Sequence, residues 1–460
     1  MKGILHLFGT IQHIHFVGIG GIGMSGIAEV LINLGFRVSG SDLKESAVTE
    51  RLRSLGIEVN LGHEAKHIEG AQLVVISSAV RGDNPEVVAA HVAKIPVIPR
   101  GEMLAELMRL KQGIAVGGSH GKTTTTCMIA QVLSQAGLDP TIVIGGKLEI
   151  LGSNAKLGKG DYLVAEADES DGSFLMLNPT LAVITNIDRE HLDHYKDIEE
   201  IRAAFVEFAN KVPFYGSVFA CMDDPNVAQV RPLLKRQVKT YGTNPQVDIR
   251  AQDIHQDGFS TTFSVTAFGQ DFGGFSINVP GHHMVLDALA AIGVALELGV
   301  TKDQIRTSLA TFSGAERRFT KKGEKDGVLV VDDYGHHPTE IAATLKAARK
   351  GFPERRIIAA FQPHRYTRTQ ALLDEFSRAF SEADVVVITN IYAANEPPIP
   401  GISGESVVMG LRAHGQRDVH SVPKVEDLPE FLKSLTKEGD LLITFGAGTI
   451  TNVGPAYLEL

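Results

Sequence analysis

A β-branched run, Ile114-Ala115-Val116, passes directly into Gly117-Gly118-Ser119-His120-Gly121-Lys122-Thr123-Thr124 and then into an apolar-periodic stretch over residues 125–135. Strand, glycine loop and helix in this order constrain the fold more than any other feature. Backbone amides gather at a helix N-terminus to meet an anion only when the loop joins a strand to the helix packed on it. The full phosphate-loop pattern, GxxxxGK followed by Ser or Thr, needs glycine at position 116, where this chain has Val116. The match is therefore to the C-terminal half of the pattern, a shortened variant. Its mechanics carry over. Backbone amides at Gly118, Ser119, His120 and Gly121 surround phosphate oxygens, Lys122 neutralises the β- and γ-phosphates, and the Thr123 hydroxyl, with Thr124 beside it, can reach magnesium.

The same rhythm of short apolar strands and helical patterns surrounds the loop. His15-Phe16-Val17, Leu73-Val74-Val75-Ile76, Tyr162-Leu163-Val164 and Leu181-Ala182-Val183-Ile184 precede or follow it, and residues 328–331, 357–361, 385–388 and 441–445 resume it later. Recurrence of this kind predicts parallel βαβ units. Between the two groups, residues 247–279 alternate polar and apolar, with Gly258, Gly269 and Gly273-Gly274 placed for turns, which predicts antiparallel hairpins. A chain of 460 residues has room for about three domains. Residues 100–112 read as a connecting helix and Ser313-Gly314 as a hinge. The expected fold class is α/β, with boundaries at 1–106, 107–313 and 314–460. It comprises an N-terminal Rossmann-like domain, a central P-loop ATPase-like domain with added antiparallel strands, and a C-terminal Rossmann-like domain.

Composition narrows the function classes. A net charge of −10 argues against a nucleic-acid partner, because such proteins carry a basic face. No apolar run has the length of a bilayer span, so no membrane partner is expected, and His6, His13 and His15 interrupt the opening segment where a secretory signal would need an apolar core. A cytoplasmic location is the expectation. Cys127 and Cys221 stand alone, without disulfide or zinc spacing.

A second glycine loop, Gly18-Ile19-Gly20-Gly21-Ile22-Gly23, fits GxGxxG, follows a strand, opens a helix over residues 24–34 and has Asp42 about twenty residues on. Its glycines admit a dinucleotide, another diphosphate such as a nucleotide sugar, or simply tight packing. After the strand at 162–164 comes a dense acidic run, Glu166, Asp168, Glu169 and Asp171, in which Glu166 is the preferred ligand for a nucleotide-bound cation. The segment Thr185-Asn186-Ile187-Asp188-Arg189-Glu190-His191 follows the next strand, where open α/β sheets place ligand groups, and His191 there is either a second metal ligand or an ordinary structural histidine.

Taken in order, these motifs resemble the Mur ligases, bacterial enzymes of peptidoglycan precursor synthesis, nearly end to end. The resemblance is carried by Phe16-Val17-Gly18-Ile19-Gly20-Gly21-Ile22-Gly23-Met24-Ser25-Gly26, Gly40-Ser41-Asp42, the loop at 118–124 and Glu166-Ala167-Asp168-Glu169-Ser170-Asp171. Later segments add Arg317-Arg318-Phe319, Asp332-Asp333-Tyr334-Gly335-His336-His337-Pro338-Thr339-Glu340 and Phe361-Gln362-Pro363-His364-Arg365-Tyr366-Thr367-Arg368. It implies an ATP-dependent amide-forming ligase whose substrates are UDP-N-acetylmuramate and L-alanine, working as a monomer or dimer with a C-terminal domain that closes over the site.

The resemblance assigns the UDP substrate to Gly18, Gly20, Gly21, Gly23, Met24, Ser25, Asp42 and Ser77. It assigns ATP to Gly118–Thr124, His283, Asp287, Arg317 and Arg318. L-alanine falls to Tyr334, His336, His364, Arg365 and Arg368. Two magnesium ions, for which manganese can substitute, would be held by Thr123, Glu166 and His191. Lys122, Glu166, His191, His336, Arg365 and Arg368 are the implied catalytic set. The chemistry is consistent, since a guanidinium pairs with an amino-acid carboxylate and an imidazole can take a proton from the attacking amine. One departure stands out: where the family usually shows His-Asn-x-x-Asn, Met284 and Asp287 occupy the asparagine positions. An ionised Asp287 accepts hydrogen bonds but donates none, which places adenine contact there in doubt.

Overall fold

The computed structural model describes residues 8–77, 79–148, 153–191 and 194–460. It separates into two compact units, one of residues 1–250, 266–272 and 286–308, the other of residues 251–265, 273–285 and 309–460.

The first unit opens with a five-stranded, wholly parallel sheet in the order Glu58–Leu61, Arg37–Asp42, His13–Val17, Leu73–Ile76, Val97–Pro99. The order reverses beside His13–Val17, and ligands of open α/β sheets bind at the C-terminal strand ends near such a switch point. The helix over Ile22–Asn33 starts two residues before the expected stretch and is capped by Gly21 in extended conformation. Its Ile27 and Leu31 pack on the sheet's apolar face with Ile14 and Phe16. Its Gly26 lies against the strand Ser153–Lys156: an added Cβ would stand 3.3 Å from that of Ala155.

On the other face of this sheet an apolar cluster of Val17, Ile68, Val74 and Ala90 adjoins a buried polar patch, unusual for a parallel sheet. Glu86, fully buried at the start of the helix Pro85–Val92, accepts from Ser41 Oγ at 2.6 Å and lies 2.8 Å from His67 Nδ1 and 3.4 Å from His15 Nε2. Burial alone would raise this carboxyl. Hydrogen bonds from His15, Ser41 and His67 outweigh it and hold the group down at about 2. Because the folded value lies below the ordinary 4.5, the stability it contributes is complete above pH 4.5 and disappears as the pH falls through about 2. Glu86→Gln is expected to lower stability at pH 7 by roughly 3 kcal/mol, the free-energy equivalent of that displacement. The gap between variant and wild type in thermal melts narrows below pH 4.5.

The central sheet follows in the same unit. Its parallel run is Gln237–Gly242, Ser217–Cys221, Leu181–Ile184, Gln112–Gly117, Tyr162–Glu166 and Thr141–Leu148, closed by the antiparallel Ser153–Lys156. The expected connecting helix at 100–112 is shorter, Arg100–Met108, because Gln112 already belongs to the next strand. The expected helix at 125–135 begins earlier, at Lys122, with Gly121 as a left-handed N-cap at φ +80°. That shift puts Lys122 and Thr123 on the first turn, where backbone amides have no intrahelical acceptor.

Three strands, Ile249–Asp257, Ser260–Ala267 and Gln270–Ile277, come next and turn at Gly258 and Gly269. The turn expected at Gly273-Gly274 does not form; both glycines lie inside the third strand.

In the second unit a six-stranded sheet runs Thr320–Lys325, Val328–Asp333, Leu441–Phe445, Ile357–Phe361, Val385–Ile388, Val419–Ser421, antiparallel at its first pair and parallel thereafter. Its central strands are buried on both faces, by Ile341 and Leu345 of the helix Pro338–Gly351 on one side and by Leu428, Leu432 and Tyr457 on the other. Among the described residues no helix is long and apolar enough to cross a membrane.

Candidate active site

Two clusters gather at C-terminal strand ends, one in each unit. In the first, the loop after Gln112–Gly117 is stitched to the end of the neighbouring strand Leu181–Ile184. Ser119 N donates to Asn186 O at 3.1 Å, His120 N to Asn186 Oδ1 at 2.8 Å, and Thr185 Oγ1 to His120 O at 2.6 Å. His120 Nε2 lies 2.9 Å from Asp188 Oδ2. The amides of Ser119 and His120, read from sequence as phosphate donors, are thus engaged within the protein. The amides that open the helix, at Lys122, Thr123 and Thr124, are the donors left by helix geometry for an anion. Gly118 makes the arrangement possible: at φ +142° it occupies space where a Cβ would collide with Thr185 Oγ1.

Lys122 Nζ donates to Gly118 O at 2.6 Å and Ser119 O at 3.1 Å and pairs with Glu169 at 2.9 Å. Burial opposes the charge, but the carboxylates of Glu169 and Asp168 prevail and raise Lys122 to about 12. Asp168, also desolvated, is held down at about 2 by Lys122 and Arg100, the latter 3.0 Å away. His191, at φ +55°, lies 3.4 Å from Glu169 Oε1 and 3.8 Å from Glu190 Oε2, and these acids raise its basicity against the effect of burial.

Ligand atoms of Glu169, Glu190 and His191 fall within 4.8 Å of one another, so two carboxylates and an imidazole can converge on one cation. Glu166 ends the adjacent strand, opposite Val116, and Thr123 lies on the helix's first turn. The sequence reading singled out Lys122 and His191; it passed over Glu190 and preferred Glu166 to Glu169, because spacing within an acidic run does not say which carboxylate turns towards the loop.

Asp287 has a definite task. Buried on the helix His282–Glu297, it accepts from Thr125 Oγ1 at 2.9 Å, and its carboxylate would meet a Cβ at Gly121 at 2.7 Å. It clamps the start of the phosphate-loop helix, a placement that its expected assignment to the adenine did not foresee. Met284 is buried as core. Asp287→Ala is expected to raise the KM for ATP by about tenfold, the scale of one lost buried hydrogen bond, without altering the KM of the amino acid. Asp287→Asn, which keeps an acceptor oxygen, is expected to lie near wild type in the same steady-state assay.

The first glycine loop is likewise closed on itself. Gly18 N and Ile19 N donate to Ser41 O, and Gly20 N to Asp42 Oδ2 at 2.9 Å. Asp42 therefore braces the loop. Gly21 and Gly23 open the helix that carries Met24 and Ser25, and Ser77 approaches Gly18, whose added Cβ would lie 3.5 Å from its hydroxyl. A Cβ at Gly23 would collide with the Arg100 guanidinium. Arg100, which the sequence marked only as the start of a connecting helix, thus joins the helix N-terminus of the first loop to Asp168 beside the second. Its signal in sequence, one arginine at the head of a helix, carries no indication of either neighbour.

The second unit holds an aromatic and cationic cluster. The guanidinium carbons of Arg317 and Arg318 lie 5.0 and 5.3 Å from the centre of the Tyr334 ring. Arg317 pairs with Asp332 at 3.0 Å and Arg318 with Glu340 at 3.1 Å. His336 packs 5.2 Å from Tyr334 and 5.7 Å from His364. His364 stacks on Tyr392 at 5.6 Å and meets Arg368 Nη1 at 3.1 Å through Nδ1. Burial, then the charges of His336, Arg368 and Arg365, press His364 down to about 3. It is neutral, and its Nδ1 accepts from Arg368.

Arg365, at φ +68°, opens the helix Tyr366–Ala371 and donates its amide to Tyr392 O at 2.9 Å. His283 is also held neutral, at about 4, by burial and the nearby His282 and Arg318. His337 caps the helix Pro338–Gly351 by accepting from Thr339 N at 3.3 Å. Tyr392, on a distant loop, and Glu340 complete a cluster whose other members the sequence had marked.

Comparison with known proteins agrees with this layout. Residues 13–112 match the model of the Mur ligase family catalytic domain, 116–295 the Mur ligase middle domain, and 317–448 the Mur ligase glutamate ligase domain. A UDP-N-acetylmuramate–L-alanine ligase of Trichlorobacter lovleyi is 59% identical over 98% of this chain and 100% of its own. One from Myxococcus xanthus is 56% identical over 97% and 94%. Among solved structures, the UDP-N-acetylmuramate-alanine ligase of Thermotoga maritima superposes with a TM-score of 0.82 at 30% identity, covering 97% of this chain and 98% of that one. A murein peptide ligase of Psychrobacter arcticus, at 24% identity and a TM-score of 0.71 over 97% and 98%, shares the fold.

Proposed function

The chain belongs to the Mur ligase family, and from that premise we propose how its two clusters join L-alanine to the carboxylate of UDP-N-acetylmuramate while ATP becomes ADP and phosphate. It is an ATP-dependent ligase of peptidoglycan precursor synthesis. The observation that carries the mechanism is the partly buried ammonium of Lys122, paired with Glu169 at the head of the helix Lys122–Gln135.

A carboxylate resists attack because oxide is a poor leaving group. Transfer of the γ-phosphoryl group to it gives an acyl phosphate, whose phosphate leaves readily once the alanine amine has added. Lys122 draws charge from the β- and γ-phosphates, and the helix start adds oriented amides that need no reorganisation during the step. Magnesium, held by Thr123, Glu166 and His191 with Glu169 and Glu190 alongside, would neutralise the approaching anions. The donor set fits a divalent cation, and its carboxylates suit magnesium or manganese.

In the second cluster a guanidinium pairs with the alanine carboxylate. His364 is too weak a base to take the amine proton, so we assign it to hold Arg368 in orientation and assign His336 as proton acceptor. Arg365 is the second guanidinium at the carboxylate. Gly18–Ser25, Asp42 and Ser77 form the UDP end, which makes a nicotinamide cofactor unnecessary. ATP and UDP-linked substrates place the work in the cytoplasm.

Phosphate release measured with UDP-N-acetylmuramate plus alanine, serine, glycine or a tripeptide tests the reading. Turnover is expected to need both substrates and to be fastest with alanine. Release without an amino acid, or preference for the tripeptide, would overturn it.

A further inference from the structure

The end of the central sheet opposite the phosphate loop, where its parallel strands begin, carries an exposed aromatic tip with no part in the site. Phe214 is 91% exposed and Tyr215 68%, their rings perpendicular at 5.3 Å. They project from the turn between the helix Ile198–Asn210 and the strand Ser217–Cys221, closed by Gly216 N donating to Pro213 O at 3.0 Å. The loop after the next helix is tied to this turn: Lys235 N donates to Asn210 Oδ1 at 2.7 Å, Asn210 Nδ2 to Leu233 O at 3.3 Å, and Arg236 Nε to Val212 O. Leu233 is itself exposed, and Lys211, reaching Leu175 O, brings in exposed Met176. Four large apolar side chains thus stand bare in one neighbourhood.

The charges around them are predominantly basic. Arg231, Lys235 and Arg236 are exposed and Lys211 partly so. Of the acids nearby, Glu207 is paired with Lys211 at 3.3 Å and Glu297 is bound by Lys239 and Ser217. In a chain of net charge −10, such a basic rim is local and works against the overall repulsion from an anionic surface.

We propose that this tip docks the protein on an anionic lipid bilayer. Protruding aromatic side chains ringed by lysine and arginine match a headgroup interface, where the rings enter the acyl boundary and the cations meet lipid phosphates. Two copies meeting tip to tip would bring their basic rims together, so charge favours lipid over a symmetric dimer through this face. Orientation fits as well. The turn precedes its parallel strand while the phosphate loop follows its own, so docking leaves the nucleotide loop directed away from the surface. The sequence led to no membrane partner because it was searched for a span, and this is a peripheral contact.

The test is co-sedimentation of the full chain with vesicles of phosphatidylglycerol and phosphatidylcholine, against phosphatidylcholine alone. Binding is expected to the anionic vesicles only and to weaken strongly at high salt. Phe214→Ser with Tyr215→Ser, and separately Arg231→Glu with Lys235→Glu, are each expected to lower the bound fraction by about tenfold. Both leave ligase turnover in solution unchanged. Failure of the wild type to bind anionic vesicles would overturn the proposal, as would equal binding by the serine variant. Self-association in sedimentation velocity that the serine variant abolishes, without lipid binding, would assign the tip to a second copy instead and overturn it too.

Discussion

Lys122→Ala is expected to reduce alanine-dependent ADP release by about a thousandfold, the scale on which a single positioned charge acts in phosphoryl transfer. The substitution has a second consequence that must be separated from the first. Glu169 is almost fully buried and its carboxylate is paired with the Lys122 ammonium. Removing the ammonium leaves a buried anion uncompensated, a change that costs about 3–5 kcal/mol. Part of the lost activity would then reflect a disturbed loop. Lys122→Ala combined with Glu169→Gln resolves the two: stability in thermal melts is expected to recover while turnover stays low. If the double variant regains turnover, Lys122 serves the fold and the assignment of its charge to the phosphates is wrong.

Gly118→Ala is expected to be nearly as severe for a different reason. At φ +142° an alanine is strained by about 1–3 kcal/mol, and its methyl group would collide with Thr185 Oγ1. The loop has to move, and with it the hydrogen bonds that tie His120 to Asn186 and Thr185. ATP affinity, read by isothermal titration, is expected to fall about a hundredfold, since loss of geometry removes several oriented donors together. Adding Thr185→Ala clears the collision but leaves the backbone strain, so recovery is expected to be partial. Full recovery would show that the left-handed glycine is unimportant and that space alone matters.

These two residues also mark how far the sequence could be read. The phosphate loop was legible because its strand, glycines, lysine and helix are consecutive, and local order fixes local geometry. The three blocks of α/β rhythm were legible for the same reason. Partners drawn from elsewhere in the chain were not. That Asn186 would take up the amide of His120, or that Asp287 would brace Thr125, depends on which strand neighbours which. Sheet order is not written in any one segment. The glycine pair at 273–274 misled in the opposite sense: its residue type suggested a turn, and pairing with the strand Ser260–Ala267 kept it within a strand. Arg100 is the sharpest case. Nothing around it in sequence distinguishes it, yet it faces a glycine of the first loop and a carboxylate beside the second.

The resting pair of Lys122 with Glu169 would make the proposed nucleotide site a coincidence detector. With its ammonium already neutralised and Asp168 and Glu190 close by, the pocket offers a naked triphosphate little net attraction. Divalent cations held at the proposed site would compensate these acids and leave Lys122 to the phosphates. On that reading, chelation is expected to weaken recognition itself as well as the chemical step, so that free ATP competes poorly with its own metal complex.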